Sequence, residues 1–324
     1  MKKPIVILAA CLLLGAGGIA YWQFTSSERE HVSTDTTLST ASSQRSAKRK
    51  PDEESYLVKI TDSSIRWQVR VDMLRRLDAD SLSDSDVDTL YGLLKKKPEV
   101  GQEENWWVVV NEIMEQMRLQ GIGVDRYSEE LLSIITDSEG DEVLRDYAVQ
   151  HLGQWVTPRG SKLGAPYEQD VSKIQQTVET FGNLITDGSL AHTSIPGTTL
   201  MLLVDMHGHD DKSGVSSEIL NPVIESLNPW MDSVISGNMQ INKSLRISAI
   251  NTVGMLGEAQ HVQIIRQLAK SEDTDASIRL NSIAALGMIG DASDIESLKQ
   301  LVDSGGKYHH AAKAAYKKLF AKFQ

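Results

Sequence analysis

Apolar residues in the C-terminal third of the chain recur at three- and four-residue spacing. Ile278, Ser282, Ile283, Leu286 and Ile289 fall on one face of a helix, as an amphipathic helix requires. Gly290 follows as a residue able to take positive φ at a helix end. Asp291 or Ser293 is placed to cap a second helix, whose apolar stripe is Ile295, Leu298, Leu301 and Val302. The same pattern stands 33 residues upstream, with LRISAINTVGMLGEA from Leu245 matching IRLNSIAALGMIGDA from Ile278. Arg246 maps to Arg279, Ile250 to Ile283, Gly254 to Gly287 and Gly257 to Gly290. Val262, Ile265, Leu268 and Ala269 map to the second stripe. Each helix pair has an apolar face too large to satisfy internally, so a period of this size with two helices per unit predicts a stacked α-solenoid.

Gly254 and Gly287 lie inside the first helices, where Gly costs about 1 kcal/mol relative to Ala; close helix–helix approach is the expected reason. Arg246 and Arg279 are expected to lie over the seam between repeats and pair with acidic loop residues such as those in SEDTD at 271–275. Taken together, these residues resemble HEAT-type repeats, in particular the short bacterial form in which Arg opens the first helix and a Leu-Gly-x-Ile-Gly-Asp run closes it. The resemblance implies an all-α fold, a right-handed α-solenoid of HEAT-like helix pairs, with the second helices lining its concave side.

Weaker copies of the signature extend the solenoid upstream. Arg70, Met73, Leu74 and Leu77 carry it, as do Arg145, Ala148, Val149, Leu152 and Gly153. Helices near Trp107 to Met117 and Thr199 to Met206 have the apolar content without the Arg. Two or three repeats are expected in each interval, with loop insertions at 157–170 and 207–214. Residues 55–240 thus read as irregular repeats and 241–324 as regular ones. The final HHAAKAAYKKLFAKFQ keeps the register through Tyr316 and Leu319 but is Lys-rich on its other side, as a capping helix requires.

The N-terminal pattern differs. Residues 1–24 read as two Lys, an apolar run, then Tyr21 and Trp22. They predict either a signal-anchor transmembrane helix or a secretory signal peptide ending at Gly18-Ile19-Ala20. Either way the rest of the chain is expected outside a bacterial inner membrane, held by residues 4–24 if uncleaved, or exported as a soluble protein. Of the 26 residues from Thr25 to Lys50, 12 are Ser or Thr without a sustained apolar period. Residues 25–54 are therefore expected to form a disordered linker.

The net charge of −11, with +4 carried by residues 1–50, leaves the repeats strongly acidic. That sign opposes nucleic-acid binding. The single cysteine, Cys11, lies in the apolar N-terminal run, so the repeats hold no disulfide or thiolate chemistry. No His-Glu-x-x-His, Gly-x-Ser-x-Gly or phosphate-binding Gly-rich loop occurs. His207 and His209 with Asp210 and Asp211, and His309-His310, are weak metal candidates. Glu103-Glu104 and Glu129-Glu130 read as solvated surface. No catalytic residue and no cofactor is expected.

The resemblance instead directs attention to the exposed side of the second helices. There Gln263, Arg266 and Gln267 align with Glu296, Lys299 and Gln300, and Arg266 over Lys299 forms a short basic ladder suited to an acidic or polar peptide. Trp106 and Trp107 point about 100° apart on one helix, so one ring is an interface anchor or packs under a loop. The reading is a non-enzymatic envelope scaffold that binds another protein or extended peptide. A metal-dependent helical-repeat enzyme centred on His207 and His209 is one alternative, and a structural spacer is another.

Overall fold

In every repeat of this chain the hydrophobic stripe of one helix is covered by the next, and the consequence is two columns of helices. The computed structural model describes residues 57–98, 101, 103–157, 170–207 and 215–324. After a helical turn at 57–61, the helices are α1 (Trp67–Leu74), α2 (Asp84–Leu94), α3 (Glu103–Gln120), α4 (Val124–Thr136) and α5 (Glu142–Val156). They continue as α6 (Val171–Thr186), α7 (Ile195–His207), α8 (Ser217–Ser236), α9 (Lys243–Leu256) and α10 (Val262–Lys270). The last are α11 (Ala276–Ile289), α12 (Asp294–Asp303) and α13 (His309–Lys322). No strand occurs among the described residues.

The odd-numbered helices pack in an unbroken series from α1 to α13, and each even helix packs on the odd helix that follows it. This is the α-solenoid that the 33-residue pattern predicts. Ile250 and Ile283 are fully buried, as are Ile265 and Leu298 in the two second helices. Arg70 opens α1 and Arg145 opens α5, so the intervals from Arg70 to Arg145 and from Arg145 to Arg246 each hold two helix pairs. The predicted Arg-less helices are α3 and α7. Both predicted insertions lie mainly outside the described residues, as do the export segment and linker.

Gly254 and Gly287 are where the odd column closes most tightly. A Cβ on Gly254 would stand 3.1 Å from the Ala285 Cα, and one on Gly287 only 2.5 Å from the Ala315 Cα. Backbone meets backbone there, so the glycines give up helix propensity for contact that a methyl group would block. At the helix ends the two repeats diverge. Gly257 adopts φ 79° as the residue that caps α9, whereas Gly290, which caps α11, has φ −62° and ψ 169°. Gly290 is therefore not required for positive φ. A side chain there would meet the Leu286 carbonyl and, at 3.0 Å, Asp294 Oδ2.

The signature arginines need a different account from the acidic-loop pairing expected of them. Each donates Nε to a main-chain carbonyl at the end of the preceding helix: Arg70 to Ile60 at 2.8 Å, Arg145 to Ile135 at 2.9 Å, Arg246 to Ile235 at 3.0 Å and Arg279 to Ala269 at 3.0 Å. The last four carbonyls of a helix lack intrahelical donors and carry its negative dipole end. A guanidinium at that point satisfies both, and ties α5, α9 and α11 to the even helices before them and α1 to the helical turn at 57–61. The SEDTD loop instead supplies Asp275, which caps α11 through the Ser277 and Ile278 amides.

In α13, Leu319 is buried as the register predicts, while Lys313, Lys317, Lys318 and Lys322 are exposed. Phe320 and Phe323 are exposed beside them, so the terminal face is mixed rather than purely polar.

Candidate functional site

The even helices present the surface singled out by the sequence. In α10, Ile265 and Ala269 face the core, which leaves Gln263 and Gln267 exposed. In α12, Leu298 faces the core and Glu296, Lys299 and Gln300 are exposed. These five side chains share a face at the repeat spacing.

Arg266 does not join them as a free cation. Its Nε and Nη2 donate to the two oxygens of Asp294 at 2.5 and 2.7 Å, Nη2 also donates to Asp291 at 2.9 Å, and Nη1 donates to Gln263 Oε1 at 2.9 Å. Asp294 is fully buried. The bidentate pair, the strongest geometry open to these groups, joins α10 to α12 and neutralises the charge that a basic ladder would need. Lys299 remains exposed.

The same joint recurs one repeat earlier in other residues. His261, 33 residues before Asp294, is buried at the start of α10. Its Nδ1 donates to Asp232 at 2.7 Å and its Nε2 lies 3.1 Å from Asn228 Oδ1, both on α8. Further up the column, Lys173 on α6 reaches Glu129 at 2.9 Å and the Asp125 carbonyl at 2.6 Å on α4. Glu130 receives Lys95 and Arg126, and Arg126 also holds Asp88 on α2. Glu129 is exposed, as a solvated surface residue would be, though it receives Lys173, whereas Glu130 is largely covered and built into the contact between α2 and α4.

Between α6 and α8 no ion pair occurs among the described residues. A groove of about 760 Å³ opens there instead. Gln175, Glu179 and Asn183 line one wall and Glu218, Pro222 and Ser226 the other.

A second polar seam lies in the odd column. His151 on α5 donates Nε2 to Asn111 on α3 at 3.0 Å, and its Nδ1 lies 3.6 Å from Glu115, which also receives Arg118 at 2.9 Å. Burial, with the Arg118 charge beside it, pushes the imidazole down to about 3. The ring is neutral near pH 7, and its approach to Glu115 is no ion pair.

Trp106 is buried with the Arg70 guanidinium 6.0 Å from its ring centre, and Trp107 is half-buried against the core. His207 ends α7, while His209, Asp210 and Asp211 lie outside the described residues. Among the described residues no three His, Cys, Asp or Glu side chains are grouped to hold a metal. His309 donates to the Val302 carbonyl at 2.9 Å. No helix among them is long and apolar enough to cross a membrane, a statement that does not reach residues 1–24.

Sequence reasoning missed Asp294, His261 and the groove. The first two carried a signal, since a buried-joint position recurs at the 33-residue spacing with a polar residue each time. The groove had only the two prolines of α8, Pro222 and Pro229, to announce it.

Residues 241–316 match the family model of HEAT repeats. No curated protein matches the sequence. Solved structures similar to the chain include the crystal structure of an engineered protein, 12% identical with a TM-score of 0.41, covering 84% of this chain and 98% of that one. They also include human deoxyhypusine hydroxylase in complex with glycerol, 10% identical with a TM-score of 0.31, covering 83% of this chain and 96% of that one. Family match and helix stacking agree: the described residues form an all-helical repeat array, and its last stretch, residues 241–316, matches HEAT repeats.

Proposed function

We propose that the chain is a non-enzymatic scaffold that holds another protein or an extended peptide on its even helices, on the outer side of a bacterial inner membrane. The observation that carries this reading is the shared face of Gln263, Gln267, Glu296, Lys299 and Gln300, exposed on successive second helices. Polar joints hold those helices in register, so the face is presented as a rigid surface, and repeat solenoids use such extended surfaces for binding. Residues 1–24, with two Lys before an apolar run, support export or anchoring.

The test is a native pull-down through a C-terminal tag, from solubilised membranes and the soluble envelope fraction, with proteins and metals quantified together. The scaffold predicts a near-stoichiometric protein that is lost on Lys299→Glu with Gln267→Glu. Arg266 is left intact, because its removal would strand Asp294. A stoichiometric metal without a protein partner, lost on His207→Ala with His209→Ala, would overturn the scaffold in favour of an enzyme. A spacer would show neither partner nor metal.

A further inference from the structure

The odd column ends on α13, whose outward face differs from those of α9 and α11. Gly254 comes closest to Ala285 and Gly287 to Ala315. By that packing Ala315 takes the place of Ala285, and Lys317, two residues on, takes the place of Gly287. A Cβ at Gly287 would already stand 2.5 Å from the Cα of Ala315 in the next helix. Lys317 therefore bars a further helix from closing on α13 as α13 closes on α11. Neither another repeat nor a second copy can extend the stack in that way.

The face carries charge and aromatic surface together. Residues 304–324 hold five Lys and no Asp or Glu, in a chain whose net charge is −11. Lys313, Lys317 and Phe320 follow at four- and three-residue spacing, which puts them on one face, and all three are exposed. Tyr316 stacks on Phe320 with ring centres 5.4 Å apart. Phe320 and Phe323 are 38% and 48% exposed, and Lys322 Nζ stands 5.5 Å from the Phe323 ring centre. Unlike Arg266, none of Lys313, Lys317, Lys318 and Lys322 is in an ion pair among the described residues. A second copy set face to face would oppose lysine with lysine. The face calls for an anion, and for one that also covers apolar rings.

We infer that the outward face of α13 docks on an anionic phospholipid surface, with Lys313 and Lys317 at the headgroups and Phe320 and Phe323 in the interfacial layer. Lysine and phenylalanine side by side on one helix suit that boundary, where electrostatic attraction and buried apolar area add. An acidic peptide offers the charge without the apolar layer. The choice of a membrane as the anion's source rests on the anchoring reading of residues 1–24. The scaffold is then held at its C-terminal helix as well as at its N-terminal segment.

The test uses the full-length chain with Cys11→Ser, which removes its single cysteine, and Ala321→Cys beside Phe320 to take an environment-sensitive fluorophore. It is reconstituted into vesicles of phosphatidylcholine alone, or of equal parts phosphatidylcholine and phosphatidylglycerol, with and without a lipid-borne nitroxide quencher. The label should shift to the blue and be quenched in the anionic vesicles only, and high salt should reverse both. Lys313→Glu with Lys317→Glu should abolish the response, and Phe320→Ser with Phe323→Ser should reduce it several-fold. Lys59→Glu with Lys270→Glu, the same change in charge elsewhere, should leave it intact. All these variants replace exposed side chains, and circular dichroism checks that each keeps its helix content. An equal response in neutral vesicles, or a full response in the Lys313 and Lys317 variant, would overturn the inference. So would an equal response to soluble polyglutamate in neutral vesicles, which would point to an acidic protein instead. Flotation with the neutral vesicles reports the anchor by itself. A chain that does not float there overturns the anchoring reading, while a lysine-dependent response in the anionic vesicles still upholds this face.

Discussion

His151 stands where the later repeats carry Thr252 and Ala285. Its register position faces the previous odd helix, and an ionised ring there would be buried against Arg118. Folding therefore excludes a proton that the unfolded chain binds below pH 6.5, the ordinary histidine value. A depressed histidine pKa gives stability that is present above the unfolded value and lost as pH falls towards the folded one, about 3. Between pH 7 and pH 5 the loss should be about 2 kcal/mol. Urea unfolding at the two pH values measures it, and the difference should largely vanish in His151→Gln. The aspartates and Glu130 held below their ordinary values act in a more acidic window, since their contribution is lost only as pH falls through the carboxylate range. Nothing in the amino-acid pattern announces this histidine. Its neighbours Ala148 and Leu152 set the hydrophobic period, and a polar residue within a buried stripe reads as an exposed one until the facing helix is known.

At the scale of the element, the helices that were legible are those whose apolar period survives intact: α9 to α12 by direct restatement, and α5 through Arg145 and Gly153. What joins them was not legible. Arg266 and Asp294 are 28 residues apart on faces that carry no hydrophobic signal. Arg266 therefore read as a solvated base, and Asp294 carried no reading at all. The joint makes a sharp prediction, because breaking a buried pair costs far more than replacing it. Arg266→Met strands the Asp294 carboxylate and should cost about 3 to 5 kcal/mol. Asp294→Leu added to that variant removes the stranded charge and should restore most of the loss. A double-mutant cycle by denaturant unfolding measures both steps. If the second substitution deepens the loss instead, the pair contributes through shape and not through charge.

Across the whole stack, each helix pair touches mainly its neighbours, so stability approximates a sum of repeat and interface contributions. Damage should stay local. Leu298→Ala, which opens space in the α12–α13 packing, should cost about 2 to 5 kcal/mol. Hydrogen exchange should then quicken over residues 276–322 while α3 and α5 keep their protection. A uniform rise along the chain would show one cooperative unit in place of a graded one. The signature arginines carry this directional logic further. In each case the guanidinium lies ten or eleven residues after the carbonyl it donates to. As a ribosome extends the chain, the ends of α4, α8 and α10 are completed by the next ten or eleven residues to emerge. A repeat that carries the signature arginine waits for no distant sequence, and the solenoid can lengthen behind its own growing tip with those helix ends already satisfied.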